Sequence, residues 1–186
     1  LYSWTCLKIG DAKEALSAIQ RAISLKKDDA SLWNNQGDVL YRLERYDQAR
    51  ESFERAVELR PGYDIAALNL ARTYIASGKT KKGIEMLEGY IARKPDWRDA
   101  IILLAEVRLR MSGVDDVIGT LTPLAEGGDL DAMYLLALGT IQEGRYDEGE
   151  SYINKILNMN ERHVGATYLR GVIAEAKGSR AAKEIY

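Results

Sequence analysis

Residues 33–61 decide the fold. They open with Trp33-Asn34-Asn35-Gln36-Gly37 and continue through Leu40, Tyr46, Ala49, Phe53 and Ala56 to Pro61. Large and small apolar residues recur here at helical spacing, and a proline closes the stretch. A shift of about 34 residues reproduces the pattern. Pro61 maps to Pro95, and both follow a basic end of an apolar-periodic stretch, Glu58-Leu59-Arg60 and Ala92-Arg93-Lys94. The same shift carries Gly37 to Ala71 and Ala105, Ala49 back to Ala15 and on to Gly83, and Ala56 back to Ala22. A fixed period of this length is the mark of a repeat architecture.

The stretch resembles the tetratricopeptide signature of Trp, Leu-Gly, Tyr, Ala, Phe and Pro. Gln36 fills the usual Leu slot and Leu40 the usual Tyr slot. The resemblance covers nearly the whole chain as a single repeat domain, 1–186. Its repeats fall at about 1–29 (truncated), 30–63, 64–97, 98–129, 130–163 and 164–186 (truncated). It implies an all-α fold, a right-handed superhelical solenoid of antiparallel helix pairs. Small residues at Gly37, Ala71, Ala105, Ala137 and Gly171 let the first helix of each pair approach the second, where Ala15, Ala49, Gly83 and Gly149 answer them. Ile19, Phe53, Leu87 and Ile153 fill the space between repeats. One repeat cannot bury its own apolar face, so neighbours stack.

Turn and end residues agree with this reading. Gly10, Gly78 and Gly144 stand between first and second helices, where a left-handed residue ends a helix at little cost. Asp28, Asp29, Asp64 and Asp131 stand near helix starts. Lys26, Arg60, Arg93 and Lys94 stand near helix ends, which complements the helix dipole. The repeat at 98–129 is two residues short and carries Arg108 at an apolar position. Pro123 falls inside its second helix, four residues after Gly119, so a kink or break is expected there, with a local change of curvature.

Composition narrows the function. Of 186 residues, 46% are hydrophobic and 29% charged, enough for a substantial core. Three prolines and one phenylalanine, against abundant Leu, Ala and Ile, favour helix over sheet. The net charge of -2 is spread along the chain, without the basic face that nucleic acid requires. No apolar run is long enough for a membrane span. Cys6 is the only cysteine, so no internal disulfide forms, which fits a cytoplasmic chain or an envelope protein whose signal has been removed. The first residues already read as mid-helix, so the chain reads as a fragment or processed product.

Residues that suggest chemistry have simpler explanations. Ser77-Gly78-Lys79-Thr80 ends like a phosphate-binding loop, but Thr73 stands where the earlier glycine belongs and a helix, not a strand, precedes it. His163 is the sole histidine, and it reads as a surface-loop residue without metal partners. Cys6 reads as a structural thiol. The pairs Asp28/Asp29 and Asp115/Asp116 sit at predicted helix starts and lack the spaced calcium-loop pattern. No catalytic residues, cofactor or metal are expected, and the chain is read as a non-enzyme.

In the family it resembles, the first helices line a concave groove, which implies a peptide or protein partner. Spacing places Asn34, Asp38 and Tyr41 on that stripe, then Leu68, Asn69, Arg72 and Ile75. Ile102, Glu106 and Leu109 follow, and then Tyr134, Leu138 and Ile141. The stripe ends at Tyr168, Val172 and Glu175. Leu68, Ile75, Ile102, Leu109, Tyr134, Leu138 and Ile141 are expected to form a near-continuous apolar patch, of the kind that marks binding sites. Curvature that buries part of this stripe between first helices is the competing reading. Asn69 matches the asparagine slot of repeats that clamp a C-terminal carboxylate, but Asn34, Asp99 and Leu103 stand in the lysine and arginine slots. An amphipathic helix or extended apolar peptide is the expected occupant. Two alternatives remain. Uncapped repeat ends expose core and favour a homo-oligomer through end-to-end packing, or the chain is a regulatory or assembly segment of a larger protein or enzyme.

Overall fold

The computed structural model describes residues 9–178, and side chains from residue 12 onward. Among the described residues there are ten α-helices and no strand. They are α1 (Ile9–Leu25), α2 (Ala30–Arg42), α3 (Tyr46–Leu59), α4 (Asp64–Ala76) and α5 (Thr80–Arg93), then α6 (Arg98–Ser112), α7 (Asp115–Glu126), α8 (Leu130–Gln142), α9 (Tyr146–Met159) and α10 (Val164–Ala176). Intervals 30–63, 64–97, 98–129 and 130–163 each hold one pair of these helices. The chain divides into two compact units, 1–93 and 94–186.

Within the N-terminal unit each helix packs on the next in order, and α2 also touches α4. Loops of two to four residues force consecutive helices to run back along one another. The small positions do what close approach requires. A Cβ on Gly37 would stand 2.6 Å from the Phe53 ring, and one on Gly83 would stand 2.7 Å from Ile75. Ala49, Ala56 and Ala71 are fully buried, and Phe53 is nearly so. Ala12, Leu16, Val39, Leu40, Leu70 and Tyr74 complete this core.

The C-terminal unit repeats the scheme. Its helices pack in order, and α8 also touches both α6 and α10. Leu136, Ala137, Ile153 and Ile156 are fully buried. A Cβ on Gly139 would meet Leu109 at 2.5 Å and Val114 at 2.7 Å, and one on Gly149 would meet Ile141 at 2.7 Å.

Gly78 (φ 81°) and Gly144 (φ 76°) take the left-handed turn conformation, and Glu44 (φ 57°) takes it between α2 and α3 without being glycine. Gly10 does not mark a turn; it is the second residue of α1. The helix α7 runs unbroken through Pro123 and ends three residues later at Glu126, so the expected break is absent. A proline this close to a helix end forfeits one backbone bond, to Gly119, and the remaining turn is closed by Gly127 N–H donating to Pro123 O at 3.1 Å. Arg108 is half-buried on α6. Cys6 lies outside the described residues.

An exposed ion-pair ladder follows the repeat. The cation in the turn after one first helix reaches the acid that opens the preceding second helix. Lys79 meets Asp47 at 3.4 Å, Arg145 meets Asp115 at 2.8 Å, and Lys177 meets Asp147 at 2.8 Å. Such exposed pairs contribute at most about 1 kcal/mol each, so burial decides the fold.

Gly37→Ala should therefore destabilise the chain by about 1–3 kcal/mol, because the buried Phe53 ring has nowhere to go. Gly89→Ala, in α5 with open space around the new methyl, should stabilise it by about 0.5–1 kcal/mol. Urea unfolding of the two variants checks both signs.

Candidate functional site

In the N-terminal unit the stripe expected to face a groove is carried by α2 and α4, which touch one another. Asp38, Tyr41, Asn69 and Arg72 line a cleft of about 70 Å³ floored by Phe53. Asn34 is buried next to it, and Asn69 Nδ2 donates to Asn34 Oδ1 at 3.3 Å. Asp38 accepts from Arg42 Nε at 3.0 Å, one turn along α2. Tyr41 is half-buried, its ring edge-on to Tyr46 at 5.4 Å. Arg72 is exposed. Ile75 is half-buried, with its side chain against Gly83.

In the C-terminal unit the stripe lies on α6, α8 and α10. Tyr134, Leu138 and Val172 are half-buried, while Glu106 and Tyr168 are exposed. Tyr134 packs its ring beside His163, with centroids 5.8 Å apart, and against the backbone of Gly165.

The near-continuous apolar patch is not present. Leu68, Ile102, Leu109 and Ile141 are all less than a tenth exposed. Leu109 lies over Gly139 and Ile141 over Gly149, so these side chains fill the gap between helices. What reaches solvent on this stripe is largely polar in the N-terminal unit, while the C-terminal unit mixes the exposed acids Glu106 and Glu175 with Tyr168 and the half-buried Tyr134, Leu138 and Val172.

Three residues hold roles that spacing did not assign. Asp129, not Asp131, caps α8, accepting from Ala132 N–H at 2.9 Å. The loop residue His163 caps α10, its Nδ1 accepting from Ala166 N–H at 3.0 Å. Glu143 reaches from beyond α8 to accept from Val114 N–H at 2.8 Å, at the start of α7. The signal for Asp129 was present, since a capping residue after Gly127-Gly128 and before an apolar run is a helix start. No local pattern announces Glu143, which acts across 29 positions. Asp29 caps α2 as expected, accepting from Ser31 N–H at 2.9 Å.

Arg98 joins the starts of α6 and α8. It pairs with Asp129 through Nε and with Asp131 through Nη2 at 2.5 Å. Burial pushes the Asp129 carboxyl up, but the Arg98 and Ala132 hydrogen bonds hold it below the usual 3.8. The same acids raise the Arg98 guanidinium. These are structural pairs at helix ends. A wider open depression of about 630 Å³ at the α1–α2 loop, among Lys26, Lys27, Asp28, Asp29 and Arg60, mixes both charges and holds no converging set of groups. Among the described residues no group of His, Cys, Asp or Glu is placed to hold a metal ion, and no helix is long and apolar enough to cross a membrane.

Paired helices with small residues at the crossing and first helices side by side define a helical-repeat binding scaffold. Tetratricopeptide repeat profiles match residues 7–64 and 40–107, together more than half of the chain. The chain belongs to the tetratricopeptide repeat family. A TPR repeat-containing protein of Methanocaldococcus jannaschii, MJ0941, is 35% identical over 63 residues, which is 34% of this chain and 19% of that protein. Sperm-associated antigen 1 of Rattus norvegicus is 33% identical over 98 residues, 53% of this chain and 11% of that one. The chain thus spans under a fifth of these relatives. Among solved structures, the type IV pilus biogenesis factor PilW superposes with a TM-score of 0.77 at 18% identity, covering 95% of this chain and 83% of PilW. YrrB, described as a TPR protein with an unusual peptide-binding site, superposes with a TM-score of 0.63 at 22% identity, covering 92% of this chain and 90% of YrrB. At these identities the likeness is one of fold.

The depressed Asp129 carboxyl makes stability pH-dependent with a fixed sign. Its contribution is complete above the ordinary carboxylate range and is lost as pH falls through the lower, folded value. Asp129→Asn keeps the cap but removes the charge. Stabilities from urea unfolding should place the variant below the parent by up to about 1 kcal/mol at pH 7, and the gap should close as the pH falls through the lowered, folded Asp129 value.

Proposed function

We propose that the chain binds a segment of another protein on the inner faces of its first helices, α2 and α4 in one unit and α8 and α10 in the other. It works as a scaffold rather than as a catalyst. The observation that carries this reading is the cleft between α2 and α4. The Asn34–Asn69 pair engages the Asn69 amide nitrogen and the Asn34 amide oxygen and leaves the Asn34 nitrogen and the Asn69 oxygen, a donor and an acceptor of the kind an extended backbone needs for its own C=O and N–H. Tyr41 and Phe53 add apolar contact beside them. In the C-terminal unit, Tyr134, Leu138 and Tyr168 offer the apolar and aromatic anchors that interfaces favour. The family's general role in protein interaction, and the peptide-binding site described for YrrB, support the same reading.

A micromolar complex needs only about 8 kcal/mol, within reach of a few such contacts. Asn69→Ala and Tyr41→Ala in the N-terminal unit, and Leu138→Asp in the C-terminal unit, should each weaken capture of a bound protein by tenfold or more, with unchanged helix content by circular dichroism. Leu68 is unsuitable for this test, since it is buried. Normal capture by all three variants contradicts the reading.

A further inference from the structure

Resting on that reading, we propose that the α2–α4 cleft selects a partner segment carrying an acidic side chain, with the Arg72 guanidinium as its receptor. The cleft is too small for a separate small-molecule ligand. At about 70 Å³ it falls far below the several hundred Å³ of such sites. It accommodates one short side chain of a longer segment.

Charge decides which. The two helices carry two acids and two bases, Asp38 and Arg42 on α2 and Asp64 and Arg72 on α4. Asp38 and Arg42 bond to each other at 3.0 Å, so the acid in the cleft wall already has a cationic partner. Asp64 opens α4, eight residues before Arg72, about 12 Å along the helix and out of reach of direct pairing. Arg72 makes no hydrogen bond or ion pair among the described residues. The cleft therefore presents one uncompensated positive charge with a planar fork of donors. A carboxylate matches that fork with two parallel bonds. Tyr41 and Phe53 lie where the methylenes of an Asp or Glu side chain would pass, and the Asn34–Asn69 amides lie where its backbone would run. The C-terminal unit does not duplicate this arrangement at Arg98, whose guanidinium is already held by Asp129 and Asp131.

The test uses a display library of short random peptides, selected on the full immobilised chain and separately on Arg72→Glu. Arg72 is exposed, so the substitution leaves the core intact, and circular dichroism verifies this. Peptides selected on the parent should share an Asp or Glu at one fixed position and bind Arg72→Glu about tenfold more weakly. Peptides selected on Arg72→Glu should carry Lys or Arg at that position. Parent peptides without acidic enrichment, or the same enrichment on both proteins, would overturn the proposal. Asn69→Ala and Tyr41→Ala separate the two levels of the argument. Peptides that lack an acid yet still lose binding to these variants sink the acidic preference and leave the cleft as a binding site. Peptides that bind all the variants equally, or a library that yields no binder, count against the cleft itself.

Discussion

Two helices can nest only where no side chain holds them apart. In this chain that condition is met at Gly37, whose bare Cα faces the edge of the Phe53 ring. The contact recurs with different partners at Gly83 against Ile75, Gly139 against Leu109 and Val114, and Gly149 against Ile141. Buried Ala49, Ala71 and Ala137 extend the same seam. Everything else about the fold follows from that closeness. Tight pairs leave each apolar face half-covered, so the next pair must stack. Stacking then sets α2 beside α4 in one unit, and α8 beside α6 and α10 in the other. Within each unit, the row of first helices is thus a consequence of the small residues at the crossings of the same helices.

The two units present different chemistry from one architecture. In the N-terminal unit Leu68 is withdrawn into the core, and Asp38, Asn69 and Arg72 are left around the cleft. In the C-terminal unit Tyr134, Leu138 and Tyr168 remain at least partly exposed beside the exposed acids Glu106 and Glu175. The ion pairs along the turns are too exposed to drive folding. Their regular spacing instead favours the register in which a turn meets the start of the preceding second helix. Fold alone does not choose a partner, so on the proposed reading selectivity would rest on these few side chains.

The repeat was legible because its cause is local. Small residues, turn glycines and prolines recur at a fixed period, and each has one physical use. The stripe that sets Asn34, Asp38, Asn69 and Arg72 on one side was legible as well, since helix geometry places them together. Its exposure was not. Periodicity puts Leu109 and Ile141 on the same stripe, but only the positions of Gly139 and Gly149 on neighbouring helices show that those side chains fill a gap. The helix α7 illustrates the opposite error. Pro123 reads as a breaker from its own chemistry, yet α7 runs through it to Glu126 at the cost of one backbone bond. His163 was read as a bland loop residue because nothing in its neighbourhood reveals that its imidazole stands in for a capping Asp. Gly10 has the sequence look of a turn and lies in a helix, since a glycine alone does not specify left-handed backbone.

The central claim is that absence of a side chain at the helix crossings, rather than any polar contact, holds the architecture together. A double-mutant cycle on Gly37→Ala and Phe53→Leu, read by urea unfolding, addresses it directly. If the two groups occupy one space, shortening the ring relieves the clash with the new methyl. The double variant should then be more stable than the sum of the single losses by about 1 kcal/mol or more. Losses that simply add would show that Gly37 and Phe53 do not share that space, and the account of how these helices nest would fail.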